Sequence, residues 1–291
     1  MAQSFTTAKP SSATNKASGK RRKVLVTGAA GNIGSYFCAH SYKKYDLVMQ
    51  VLGLDADSKE IERFGRLEVG DVRDVEQMKK LCKGVDTVLH LAADASPEAT
   101  WDSVLHLNIE GTYNTFVAAK AAKCRRVIYA SSIHAVSGYP ADYQVHTDDP
   151  VNPGDLYGVS KCFGEALGRY MAEKENLSTF CLRIGGFQPA EAMKTDKGIQ
   201  MLDAWVSRRD LNQLIEKCID NETLTFAIFH GLSDNRFKRL DITDTRELVG
   251  YAPQDDLTEL HPKLKKLNLD DNIATHSMSD KQQKSGLREE L

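Results

Sequence analysis

The sequence predicts an α/β protein, a doubly wound parallel sheet with a small lobe added at its C-terminal end. Three observations carry that prediction. From residue 23 to residue 186, short β-branched runs alternate with helical stretches, the pattern of βαβ units whose strands lie parallel and whose helices cover both faces. The first run passes straight into a glycine-rich segment that opens a helix. Beyond residue 186 the alternation weakens, which marks a smaller addition to the sheet.

The elements follow in order. Residues 23–27 (KVLVT) read as the first strand and residues 32–43 as the helix after the glycines. Residues 48–54 form a second strand that stops at Asp55, and residues 66–69 a short third strand. Helix 74–83 follows, with Asp74 as its N-cap. Residues 85–93 are the fourth strand. A helix over 99–122 places Leu107, Gly111, Asn114 and Ala118 on one face. Strand 125–132, helix 158–176 and strand 178–186 complete a core over 23–186. In the lobe, 187–269, residues 188–198 read as loop, 210–220 as helix, 224–229 as strand and 240–250 as a helix ending at Gly250. The strand and helices of this lobe are expected to return to the core.

Composition narrows the function classes. A chain of 291 residues with 41% hydrophobic and 27% charged residues can bury an ordinary globular core. The net charge of −2 gives no general attraction to nucleic acid or anionic membrane. Residues 1–22 carry lysine and arginine without any acid and are rich in Ser, Thr and Ala, which predicts a disordered basic arm. A nucleic-acid or anionic-surface contact is the alternative use of such an arm. Residues 270–291 read as a polar tail. No stretch approaches 18 continuous apolar residues, so no membrane span is expected. The cysteines at 38, 82, 124, 162, 181 and 218 show no metal-ligand spacing and sit in or beside apolar stretches. They read as reduced, buried thiols of a cytoplasmic protein, and no metal site is expected.

The segment Gly28-Ala29-Ala30-Gly31-Asn32-Ile33-Gly34 fits GxxGxxG between a strand and a helix. Such glycines permit a tight turn and close backbone approach, and the helix that begins there points N–H groups and its positive dipole end at a pyrophosphate. This is the signature of a Rossmann-type dinucleotide site. Asp55, at the end of the second strand, can accept both adenosine ribose hydroxyls and repels a 2′-phosphate, so NAD is expected rather than NADP. Asp71, ending the third strand, can contact the adenine amine; closing a turn or capping a helix is its alternative role.

Ser132, Tyr157 and Lys161 form the chemical constellation. Ser132 ends the fifth strand, and Tyr157 and Lys161 stand four apart at a helix start, on one face. An ammonium there favours the phenolate, so Lys161 is expected to lower the pKa of Tyr157 and to bond the nicotinamide ribose. Tyr157 would be the general base for a substrate hydroxyl, and Ser132 would hold the reacting oxygen. A packed tyrosine and a surface lysine are the bland alternative, against which the upstream glycine motif weighs.

With these residues in place, the chain resembles the extended short-chain dehydrogenases/reductases over residues 23–186. The matching segments are GAAGNIG at 28–34, GDVRD at 70–74, HLAA at 90–93, NIEGTYN at 108–114, ASS at 130–132 and YGVSK at 157–161. The resemblance implies that Asn108 supports the active-site geometry and a proton relay. It also implies that Val72, Leu91, Ala92 and Ala93 run past the cofactor. DLYGVSKCFGE at 155–165, LRIG at 182–185, MLDAWVSRRDL at 201–211 and VGYAP at 249–253 are similar to the uronate dehydrogenase-like sugar dehydrogenases, to about residue 260. Those enzymes oxidise the C1 hydroxyl of a free sugar acid with NAD and release an aldonolactone.

That resemblance also implies substrate contacts at Ser96, Ser132, Ile133, His134, Gly186 and Gln200, and three of these depart from the family. Ile133 replaces an asparagine, Gly186 a serine, and Gln200 the arginine that clamps a carboxylate. Glutamine cannot make a charged bidentate clamp, so a neutral or otherwise non-carboxylate sugar is expected, unless Lys194, Lys197, Arg208 or Arg209 restores the charge. An NDP-sugar epimerase or dehydratase is the competing enzyme, and a non-catalytic NAD-binding scaffold the competing class. The superfamily's pairing of helices 99–122 and 158–176 implies a homodimer or higher homo-oligomer.

Overall fold

The computed structural model describes residues 7–8 and 21–266. The strands are β1 (Thr7–Ala8), β2 (Lys23–Thr27), β3 (Asp46–Val51), β4 (Arg66–Val69), β5 (Thr87–His90), β6 (Arg126–Ser132), β7 (Ser178–Ile184), β8 (Gly186–Phe187), β9 (Trp205–Val206) and β10 (Leu224–Gly231). The helices are α1 (Asn32–Ser41), α2 (Ala56–Ile61), α3 (Val75–Leu81), α4 (Trp101–Ser103), α5 (Gly111–Ala121), α6 (Leu156–Lys174), α7 (Asp196–Gln200), α8 (Arg208–Asp220), α9 (Thr243–Val249), α10 (Leu257–Leu260) and α11 (Pro262–Lys266). The main sheet runs β1-β10-β7-β6-β5-β2-β3-β4, with all pairs parallel except β1 against β10. β8 and β9 form a separate parallel pair.

The parallel strands are buried on both faces, so successive residues feed two cores. Val24, Val26, Leu47 and Met49 face one cluster, with Phe37 of α1 and Leu211 and Leu214 of α8. Leu25, Val48, Val88 and Val127 face the other, with Phe116 of α5 and Met171 of α6. This period of two is what near-continuous apolar runs mean in a parallel sheet. Strand order reverses at β2, whose neighbours are β3 and β5. The chain leaves β2 and β5 in opposite directions across the sheet, and the crevice between them is where such folds hold ligands.

β10 extends the sheet beside β7, and α8 packs on α1 through Ser41 Oγ, which donates to Glu216 Oε1 at 2.7 Å. Arg126 locks the joint: its guanidinium donates to the carbonyls of Cys218 (2.7 Å) and Leu224 (2.9 Å) while stacking on Phe180. Gly250 ends α9 with φ +67°, the left-handed cap expected there.

Several expectations change. Within residues 1–22, only 7–8 and 21–22 are described. Thr7 and Ala8 pair with the edge strand β10, which otherwise presents open backbone groups. Arg21 donates to the Tyr42 carbonyl at 2.8 Å and Arg22 pairs with Asp86 and Glu222. The rest of the arm and the polar tail 270–291 lie outside the described residues. The helix expected over 99–122 is three pieces, α4, a π-helical segment Val104–Glu110 and α5. Residues 188–198, read as loop, contain a 3₁₀ turn, Ala192–Lys194, and the start of α7. All six cysteines are free thiols and five are buried.

Candidate active site

The turn after β2 is shaped by glycine. Gly28 has φ +64°, and a Cβ there would sit 3.0 Å from the Cα and N of Ala92, so the two loops of the crevice meet at this point. At Gly34 a Cβ would lie 2.7 Å from the carbonyl oxygens of Gly28 and Ala29, so only glycine lets α1 begin this close to the turn. The N-terminus of α1 has no side-chain cap and no acid in its first turn. Its N–H groups therefore remain available to an anion, which is the requirement for holding a pyrophosphate. Gln50, an amide among apolar neighbours in β3, secures the turn: Oε1 accepts from Gly28 N at 3.1 Å and Nε2 donates to the Gly70 carbonyl. Sequence reading missed Gln50; a lone polar residue inside VMQVL was its signal.

The segment 108–114 fastens the other loops. Asn108 is fully buried in the π-helical segment. Its Oδ1 accepts from Asp94 N at 2.8 Å, and its Nδ2 donates to Asp94 O at 2.9 Å and Ser160 Oγ at 3.0 Å. It thus ties the loop after β5 to the helix that bears Tyr157. Asn114 Nδ2 donates to the Val72 and Arg73 carbonyls, and Gly111 abuts Val72. Thr27 Oγ1 accepts from the N–H groups of Leu91 and Ala92, so its own hydrogen goes to His90 Nδ1 at 2.8 Å. His90 Nε2–H is then left to donate to Thr112 Oγ1. Burial, with Lys161 nearby, pushes His90 down to about 3, so the ring stays neutral.

These loops enclose a cavity of about 620 Å³. Gly28, Gly31, Asn32, Ile33, Gly34, Leu91 and Ala93 line its cofactor side, and Ser132, Ile133, His134, Tyr157, Lys161, Gly186 and Gln200 line the rest. The other expected residues are elsewhere. Ala30 packs on the core beneath the turn, and Ala92 and Asn108 stand behind the wall. Val72 is buried against Gly111, and Ser96 is exposed in a turn, its Oγ accepting from Glu98 N. Asp55 is exposed and caps α2, an element the sequence reading did not include. One carboxylate oxygen accepts from Ser58 N at 2.8 Å, which lowers its pKa. Asp71 closes a turn by a bidentate pair with Arg73, the alternative role foreseen for it; that contact holds its carboxyl below the usual range. The cavity wall also includes Phe187, Gln188 and Met201, which sequence reading did not single out.

Ser132, Tyr157 and Lys161 converge as expected, but the electrostatics differ. Burial raises the Tyr157 phenol above 10.0; a hydrogen bond with Ser132 opposes this, and Asp155 and Asp94 reinforce it. Lys161 stands beside it. Nζ lies 5.4 Å from the Tyr157 ring centroid, and burial pushes Lys161 itself down to about 7. A lysine that gives up its charge on desolvation cannot stabilise a neighbouring phenolate fully.

Each of the four cations considered for a substrate charge has a contact of its own. Lys194 pairs with Glu191 at 2.8 Å and Arg209 with Asp255 at 2.6 Å. Arg208 lies over the Tyr36 ring. Lys197 reaches the wall itself, donating to Gln188 Oε1 at 3.2 Å. Among the described residues no group of three or more His, Cys, Asp or Glu side chains is placed to hold a metal. Nor is any helix long and apolar enough to cross a membrane.

An uncapped helix behind a glycine turn, facing a buried Ser-Tyr-Lys set across the switch point, defines an NAD-dependent short-chain dehydrogenase/reductase of the extended type. The chain belongs to the NAD-dependent epimerase/dehydratase family, whose model matches residues 24–188. It is an oxidoreductase that uses NAD. It is 36% identical to an NAD-dependent glucose-6-phosphate dehydrogenase of Haloferax volcanii, over 81% of this chain and 94% of that protein. It is 35% identical to an L-arabinose 1-dehydrogenase (NAD(P)(+)) of the same organism, over 80% and 96%. The solved uronate dehydrogenase of Agrobacterium tumefaciens superposes with a TM-score of 0.73 at 28% identity, over 89% of this chain and 92% of that one.

Proposed function

We propose that this enzyme oxidises the C1 hydroxyl of a free sugar with NAD and releases the aldonolactone, and that its preferred sugar carries no carboxylate at the far end of the ring. The observation that carries the reading is the composition of the cavity that the glycine turn borders: a complete Ser132-Tyr157-Lys161 set beside Ile133, Gly186 and Gln200. Bound NAD supplies the hydride acceptor. Ser132 holds the sugar oxygen, and Tyr157 takes its proton as the hydride leaves C1. Lys161, near 7, shares in that proton transfer from behind the ring.

The relatives that act on glucose 6-phosphate and on L-arabinose support a non-carboxylate sugar. So does the site, because a buried carboxylate needs charged partners and two of the four candidate cations are already paired with acids. Helices α5 and α6 leave Tyr113, Val159 and Tyr170 exposed, which suits a homodimer through that face. Free thiols, mostly buried, suit a reducing cytoplasm.

The test is NADH formation across neutral aldoses, sugar phosphates and uronates, with wild type and Tyr157→Phe. The variant should bind NAD as wild type does and lose about 10²–10⁴-fold in turnover, the ordinary contribution of a general base. Turnover retained in Tyr157→Phe would overturn the mechanism. Conversion of a nucleotide sugar with no net NADH would make the protein an epimerase instead.

A further inference from the structure

His134 lines the cavity with its ring edge-on to Tyr157, centroids 5.4 Å apart. Its Nδ1 is 2.6 Å from Asp155 Oδ2. A carboxylate only accepts hydrogen bonds, so the hydrogen in that contact belongs to Nδ1. Whenever the ring is neutral, this contact holds it in one tautomer with Nε2 bare, and Nε2 has no hydrogen-bond partner among the described residues. Asp155 is engaged twice: its other oxygen, Oδ1, accepts from Gly158 N at 2.7 Å and caps α6. The helix that carries Tyr157 and Lys161 and the ring of His134 are thus fixed by one carboxylate.

We infer that the His134–Asp155 couple is a hydroxyl reader. Nε2 accepts a hydrogen bond from the sugar hydroxyl next to the reacting one, and Asp155 is the positioning residue that keeps Nε2 an acceptor. The two neighbours of C1 in a cyclic aldose differ in kind. C2 bears a hydroxyl, which can donate, whereas the ring oxygen can only accept. A bare Nε2 therefore pairs with the C2 hydroxyl and turns the ring so that C2, not the ring oxygen, lies against His134. This inference rests on the sugar reading above, and its test separates the two.

Asp155→Asn is the informative variant. Asparagine caps helices as well as aspartate does, but its single oxygen is then occupied by Gly158 N–H and its NH₂ faces His134. The proton moves to Nε2, which becomes a donor. Asp155→Ser keeps the cap and removes the contact altogether, so it serves if the first variant folds poorly. Wild type should prefer a substrate aldose over its 2-deoxy analogue by about tenfold or more in kcat/KM, the worth of one well-placed hydrogen bond. In both variants that ratio should fall toward unity, while NAD binding stays within about twofold because no cofactor contact is altered. ¹⁵N spectra of histidine-labelled protein should show the His134 proton on Nδ1 in wild type and on Nε2 in Asp155→Asn. An Nε2–H tautomer in wild type would overturn the couple. An unchanged 2-hydroxy to 2-deoxy ratio with the tautomer switched would overturn the reader. A wild-type enzyme that oxidises no sugar overturns the reader together with the sugar reading, whereas one that oxidises a sugar without this ratio overturns the reader alone.

Discussion

Lys161 is buried to 3% exposure with no carboxylate partner among the described residues, and burial drives it from its ordinary 10.5 to about 7. The unfolded chain keeps that proton up to about 10.5, whereas the folded chain releases it near 7. Between those values the unfolded state binds more protons, so stability rises with pH across the window. At about 1.4 kcal/mol per unit, the charged lysine costs the fold on the order of 3–5 kcal/mol at or below neutral pH. Lys161→Met keeps the length of the stem and removes the charge. It should therefore abolish NADH formation yet make the protein more stable below pH 7 by that order of magnitude. The advantage should shrink steadily through the window and vanish above it. Urea unfolding of both proteins at a series of pH values measures this. The difference between the two curves is the useful quantity, because the buried thiols Cys38 and Cys218, raised to about 12, act equally in both. Parallel curves across the window, or a variant less stable than wild type at neutral pH, would refute the reasoning. A gain would show that the enzyme maintains an unfavourable buried charge for its chemistry.

Two further outcomes bear on the cavity. Gln200→Arg should raise kcat/KM for glucuronate or galacturonate, relative to a neutral hexose, by about tenfold or more through a charge-assisted pair; an unchanged ratio in steady-state assays would mean that position 200 does not meet the far end of the sugar. Gly34→Ala brings a Cβ within 2.7 Å of two backbone carbonyl oxygens. It should weaken NAD binding by at least about tenfold and lower stability by about 1–3 kcal/mol, read by NAD titration and thermal melting; unimpaired NAD affinity would deny the turn its cradling role.

The alternation of strands and helices and the GxxGxxG turn were readable in the linear chain because both are local requirements. A parallel strand must be apolar on both faces, and a backbone that approaches a pyrophosphate has no room for a Cβ. The Tyr157–Lys161 spacing belongs to the same class, since four residues make one helical turn. Other features depend on which strand ends the sheet brings together. Asn108 reaches Asp94 and Ser160 only because the π-helical segment lies beside α6, and Gln50 reaches Gly28 only across β2 and β3. The His134–Asp155 contact joins the end of β6 to the cap of α6 over 21 residues of chain, and no periodicity announces it. Ion pairing and burial are likewise properties of space. Sequence placed Lys161 next to Tyr157 and foresaw an ammonium lowering a phenol's pKa; the fold removed both groups from water, and desolvation outweighed their proximity. Local sterics and periodicity therefore specify the frame of this enzyme, while the electrostatic state of its site follows from what the packed sheet excludes.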